Sequence, residues 1–257
     1  MKEVASERIL RVEDNYLLRG AGMFVDDVPE PPGTLHASFV MSPHAAARIV
    51  SIDARAALEL PGVQAVLTGD DLAMLTRPMS TGIDLPGYIA ADRDVIARSV
   101  VRFVGEHVAV VLATDKYTVQ DAIELVQVEY EVLPSSSTLE QALEAGAAIV
   151  HEHVPDNILY RGAFSSPDFD VAHSCSEHHL TESFRHGMVA GVPMEPRGCL
   201  AVPERGDMIV FYTSTQIPHI VRTGLAEHLD CSESRIRVVA PDVGGGSARK
   251  QFSTPKR

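Results

Sequence analysis

The stretch His107–Val132, "HVAVVLATDKYTVQDAIELVQVEYEV", carries three successive signals for regular structure. "HVAVVLATD" is a nearly unbroken apolar run of strand length, the pattern of a strand buried on both faces. Asp115 then offers an acceptor to the unpaired N–H groups that open a helix. In that helix Val119, Ala122, Ile123 and Val126 fall on one stripe. "VQVEYEV" next alternates, with Val126, Val128, Tyr130 and Val132 inward and Gln127, Glu129 and Glu131 outward. The helix and strand readings overlap at Val126. Strand, helix and strand of this kind predict a compact α+β unit.

Working outward, "GTLHASFVMS" and "ARIVSID" read as strands, and "ARAALELPG" as a short helix stopped by Pro61 and Gly62. "VQAVLTGDDL" reads as another strand, and the polar segment from Thr76 to Asp94 as a long surface loop. Downstream, "LPSSSTLEQALEAGAAIVHEHVPDN" is polar and poor in large apolar residues, so it reads as a linker with a short helix. A domain boundary is expected near Pro134–Ala148. Beyond it, "GCLAVPERGDMIVFYTST" predicts a hairpin turning at Glu204–Asp207. A helix is expected to start near Ile217 with Pro218 in its first turn, burying Ile220, Val221, Leu225 and Leu229. "RIRVVAPDV" is a final strand running into Gly244, Gly245 and Gly246. No internal repeat is present.

With 257 residues and 45% hydrophobic content, the chain can bury a substantial core as one large or two smaller domains. A formal charge of −13 argues against a nucleic-acid partner, whose phosphates require a basic face. No apolar run approaches the ~20 residues of a membrane span. The opening "MKEVASERILRVED" has no apolar centre like that of a signal peptide, so a cytoplasmic location is expected. Cys175, Cys199 and Cys231 lack the spacing of a metal site or a disulfide framework and read as small buried groups.

Several patterns could carry chemistry. Phosphate binding is the first reading of glycines after a strand, but it fails here. Lys250 lies between Arg249 and Gln251 rather than in a Gly-Lys-Ser/Thr sequence, and Ala248 and Arg249 leave the dinucleotide fingerprint without its late glycine. Gln216 sits where a strand ends and a helix begins, a place suited to an oxyanion or a metal oxo group. The competing role for Thr215 or Gln216 is to cap that helix. Glu195 and Arg197, among prolines in "VPMEPRG", read as a surface or interdomain ion pair. His151, His153, His178, His179 and His186 have no accompanying carboxylate or cysteine at ligand spacing. The second group alternates like a strand, so these histidines read as solvated.

Taken in order, "RVEDNYLLRGAGMFVDDV", "MSPHAAARIVSIDARAALELPGVQAVLTGDDL", "VRFVGEHVAVVLATDKYTVQDAIELVQVEYEVLP", "PMEPRG", "STQIPH" and "RVVAPDVGGG" resemble the molybdopterin-binding large subunit of the xanthine dehydrogenase / aldehyde oxidase / carbon monoxide dehydrogenase family. The resemblance runs from about residue 8 to Gly246. It implies a lead-in at 1–18, an a/b hammerhead domain at 19–135, a linker at 136–150 and the first part of an α/β molybdopterin-binding domain at 151–246. It further implies a molybdenum–molybdopterin cofactor and oxidative hydroxylation of an aldehyde, an N-heterocycle or CO. Electrons would pass to an iron–sulfur subunit and an FAD subunit. By the same resemblance, Gln216 hydrogen-bonds an oxygen ligand of the molybdenum, and the backbone amides of Gly244, Gly245 and Gly246 line the cofactor.

The chain departs from the family after Gly246, where Ser247 and Ala248 stand in place of Phe-Gly. Reading Ser247 as a TCN codon and restoring one T before it opens a frame compatible with Phe-Gly-x-Lys-Ala-Val-Leu-Tyr-Pro-Glu-Glu. Residues 247–257 are therefore expected to be an out-of-frame tail, with the family's catalytic glutamate base and most pterin contacts absent. Two readings follow. One is an oxidoreductase subunit completed by a separately encoded C-terminal half; the other is a non-catalytic remnant that holds a folded hammerhead domain and no cofactor.

Overall fold

A computed structural model describes residues 11–80, 85–187 and 189–245. Gly246 and the 247–257 tail lie outside the described residues. The chain packs as two compact units, one formed by 35–190 and the other by the segments up to 34 and from 191 onward.

In the unit 35–190 the strand of the opening stretch is central. β5 (His107–Ala113) lies between β1 (His36–Met41) and β3 (Val63–Thr68), antiparallel to both. Its Val110 faces Phe39 on one side and Leu67 on the other. Side chains alternate across a strand, so β5 feeds two core clusters. Val111 and Ala113 join Ala57, Val119, Ala122 and Val126, while Val108 joins Ala47, Ala97 and Val101. Val111 is wholly buried, and burial of a valine contributes roughly 1.5–3 kcal/mol. A second sheet has β2 (Ala47–Asp53) between β4 (Val100–Val101) and β6 (Gln127–Val132).

Helix α4 (Lys116–Leu125) starts as expected. Asp115 Oδ1 accepts from the N–H groups of Tyr117 and Thr118, each at 2.9 Å. The hydroxyl of Thr118 above all, together with these amides, holds the Asp115 carboxyl below its ordinary pKa. α2 (Arg55–Glu59) and α5 (Leu139–Leu143) fall where the sequence placed short helices. β3 is shorter than expected. The Asp71 carboxylate takes the N–H and hydroxyl of Thr68, both at 2.8 Å, which ends the strand and opens α3 (Gly69–Ala73). Val132 is exposed rather than inward, because β6 is an edge strand and Val132 lies at its end. α6 (Phe169–Cys175) was not foreseen. Between α6 and β7 (Cys199–Glu204) no regular structure forms among the described residues, so the histidine segment is not a strand.

The other unit holds a three-stranded sheet. β7 pairs antiparallel with β8 (Met208–Thr213) through the expected turn, in which Gly206 and Asp207 have φ of 77° and 58°. β8 pairs in parallel with β9 (Ile236–Val239), and the connection between them carries α7 (Pro218–His228). The helix begins with Pro218 at its first position, as read. Its buried residues are Val221 and Ala226, whereas Ile220 and Leu229 are exposed. Arg222 and Thr223 on α7 both bond Glu233, at 2.8 Å each, and anchor the helix to the turn before β9. Residues 11–34, including α1 (Asp14–Leu17), pack in this unit. No helix among the described residues is long and apolar enough to cross a membrane.

Candidate functional site

β8 and β9 run parallel with Tyr212 beside Val239, so their C-terminal ends emerge at one edge of the sheet. Gln216 follows the end of β8 and Gly244 follows the end of β9. The crevice outside such carboxyl ends is where ligands bind in open α/β sheets. The Gln216 side chain is exposed there, just before α7. Just before the helix Thr215 Oγ1 accepts from the N–H of Ile217 at 3.2 Å, and the helix start itself carries no side-chain cap. Gln216 does not cap the helix either, and its side chain lies open to solvent.

The glycine loop is held differently from the sequence expectation. The Gly244 N–H donates to Glu195 Oε2 at 2.7 Å, and the Glu195 N–H donates to the Gly244 carbonyl at 3.0 Å. The Gly245 N–H donates to the Val243 carbonyl at 2.9 Å. Two of the three amides assigned to a ligand are therefore taken by protein acceptors. Glycine is required here for other reasons. A Cβ on Gly244 would lie 2.6 Å from the Cβ of Glu195, and Gly245 has φ of 112°, which L side chains rarely adopt.

The root of the loop is pinned by Asp242. Its Oδ2 accepts from the Met23 N–H at 2.9 Å, its Oδ1 accepts from the Tyr16 hydroxyl at 2.7 Å, and its own N–H donates to the Met23 carbonyl at 2.9 Å. The Met23 amide, then the Tyr16 hydroxyl, hold the Asp242 carboxyl below its ordinary pKa; the same bond pushes the Tyr16 phenol up.

Sequence reading missed one organiser of the site, the segment Glu195–Gly198. Glu195 binds Gly244, as above. Three residues on, the Gly198 carbonyl accepts from the Ser214 N–H at 3.2 Å and from the Thr213 hydroxyl at 3.1 Å. Ser214 Oγ accepts from the Gly198 N–H and donates to the Pro196 carbonyl, both at 3.2 Å. One short segment thus grips the strand end before Gln216 and the loop at Gly244. The prolines of "VPMEPRG" marked a rigid turn, but nothing local revealed partners this far away.

The remaining candidates do not assemble. Among the described residues no group of three His, Cys, Asp or Glu side chains could hold a metal. His179 Nδ1 lies 3.1 Å from His173 Nε2 at the end of α6, and His153 Nε2 lies 2.7 Å from the Ala90 carbonyl. Cys175 and Cys199 are exposed and Cys231 is half-buried, which corrects the expectation of buried thiols. For Cys175 the reason is its place at the end of α6, a helix with no buried residue.

The chain is similar to known proteins over nearly its whole length. Residues 19–134 match the family described as aldehyde oxidase and xanthine dehydrogenase, a/b hammerhead domain, and residues 150–255 match the molybdopterin cofactor-binding domain. The nicotine 6-hydroxylase large subunit of Paenarthrobacter nicotinovorans is 38% identical over 99% of this chain and 31% of its own length. The carbon monoxide dehydrogenase large chain of Hydrogenophaga pseudoflava is 36% identical over 93% of this chain and 31% of its own. Among solved structures, quinoline 2-oxidoreductase from Pseudomonas putida 86 matches with a TM-score of 0.87 and 38% identity, covering 94% of this chain and 31% of that one. The chain thus spans about 31% of the length of these relatives.

Proposed function

The chain belongs to the family of molybdopterin-binding large subunits that includes xanthine dehydrogenase, aldehyde oxidase and carbon monoxide dehydrogenase, and from that membership we propose that it supplies one wall of a molybdenum–molybdopterin site. The reaction is oxidative hydroxylation of an aldehyde, an N-heterocycle or CO, with electrons leaving through iron–sulfur and FAD subunits in the cytoplasm. When bound, the cofactor would supply the redox chemistry. This chain's residues supply position. Gln216 donates a neutral amide hydrogen bond from the edge where β8 and β9 end, and Gly244 and Gly245 let the backbone pass close to a bulky group. The observation that carries this reading is the emergence of Gln216 and the glycine loop from neighbouring parallel strands, gripped by one segment. The domain limits 19–135 and 151–246 belong to the same proposal.

A second observation limits what residues 1–257 do alone. Phe164, Phe169, Val171, Leu180, Phe184 and Val189 are all exposed, an apolar run denser than a solvated segment carries. With the amides of Gly244 and Gly245 already satisfied, these residues by themselves retain no cofactor and turn over no substrate. A further polypeptide, equivalent to the rest of the relatives' length, covers the apolar run and completes the site. Co-expression with such a polypeptide tests this. Molybdenum should co-purify with the pair and not with residues 1–257 alone, and stoichiometric metal on the lone chain would overturn it. In the pair, Gln216→Ala should lower turnover about tenfold with molybdenum content unchanged.

A further inference from the structure

We infer that Glu195 is the positioning residue of the glycine loop: its carboxylate and backbone together fix Gly244, and through Gly244 they set where the cofactor-facing backbone points. The inference rests on the reading of that loop given above. Glu195 touches Gly244 twice, donating to its carbonyl at 3.0 Å and accepting from its N–H at 2.7 Å. Two bonds to one residue fix the peptide planes on both of its sides, and the shorter distance is that of a charge-assisted bond. The second carboxylate oxygen faces the Val25 N–H at 3.5 Å, a long contact that orients the side chain rather than binding it tightly.

The absent side chain at Gly244 belongs to the same device. A Cβ there would come within 2.6 Å of the Glu195 Cβ and 3.4 Å of its Oε2, so any other residue would push the carboxylate off the amide. Asp242 pins the loop two residues upstream, on Met23 and Tyr16. Between these anchors and the turn at Gly245 the loop has little freedom. Glu195 therefore acts through the glycines, and its carboxylate is spent on the protein rather than on a ligand. Its segment also holds the strand end before Gln216, so a shift there would move both halves of the proposed site.

Amide hydrogen exchange on the 257-residue chain tests the clasp without any cofactor. Glu195→Ala should accelerate exchange at the Gly244 N–H about tenfold, with Val210 at the centre of β8 unchanged. Glu195→Gln, which keeps an acceptor, should hold Gly244 near the parent rate. Gly244→Ala, which drives the Glu195 side chain away, should accelerate exchange at the residue-244 N–H as Glu195→Ala does. An unchanged Gly244 rate in Glu195→Ala would overturn the inference, as would equal acceleration at Val210, the mark of general loosening. Failure of the underlying cofactor reading would look different. Exchange would change as expected, while in the completed assembly Glu195→Ala would keep the parent's molybdenum content and turnover.

Discussion

Glu106 shows how one side chain can oppose the fold that contains it. It is buried in the loop before β5, where its Oε2 accepts from the Arg102 N–H at 2.5 Å. Burial is the first cause of its shift and pushes its pKa up; the Arg102 amide and the charges of Arg102 and Arg93 oppose this without cancelling it. A carboxyl raised in the folded state favours unfolding when ionised, so its penalty is present above the folded pKa and disappears as pH falls through it. Glu106→Gln keeps an acceptor and removes the charge. In thermal unfolding followed from pH 8 to 4.5, the variant's advantage over the parent should shrink as pH falls. Glu106→Ala should instead cost about 1–3 kcal/mol, since the Arg102 N–H loses its acceptor. At this scale the sequence was legible where partners are near neighbours. Asp115 could be read as a cap because it serves residues two and three positions on. Glu195 could not be read as a clasp because its partner lies beyond β7, β8, α7 and β9.

Among the elements, α7 separates periodicity from contact. The 3.6-residue repeat correctly found the helix and its proline start but widened its buried face. Only Val221 of the expected stripe is buried, together with the unforeseen Ala226, while Ile220 is 61% exposed. Ile220→Ala should therefore change stability by no more than about 0.5 kcal/mol. Val221→Ala should cost about 1–2 kcal/mol. Denaturant titration of the two variants distinguishes the faces, and an equal loss from both would restore the wider stripe. β5 is the opposite case. An apolar run bounded by His107 and Thr114 admits few structures other than a strand covered on both faces, so sequence and structure agree there. The edge strand β6 was misjudged only at Val132, because alternation fixes which side a residue faces and not whether anything covers that side.

For the whole molecule, the exposed stretches 161–168 and 176–187 that flank α6 contrast with the packed sheets before and after them in sequence. Backbone that is neither paired nor buried is the first to be cut. Limited trypsin digestion should cleave after Arg161 and Arg185 well before any site within β1 to β6. Fragments that instead begin inside those strands would contradict the division of packing. Composition foretold little of this, because 45% hydrophobic content does not say which apolar residues find partners. The order of segments foretold much more, since six stretches in sequence pointed to one family. What stayed hidden was the use of the glycines: the resemblance implied donors for a ligand, and among the described residues Gly244 donates to Glu195 and Gly245 to Val243. The steric fit between Gly244 and Glu195 also bears on how such a protein can drift. Position 195 can change its side chain while Gly244 stays, but a methyl group at 244 meets the Cβ of residue 195 and becomes tolerable only after that residue has itself become glycine. Sequence change here must travel through paired, order-dependent steps.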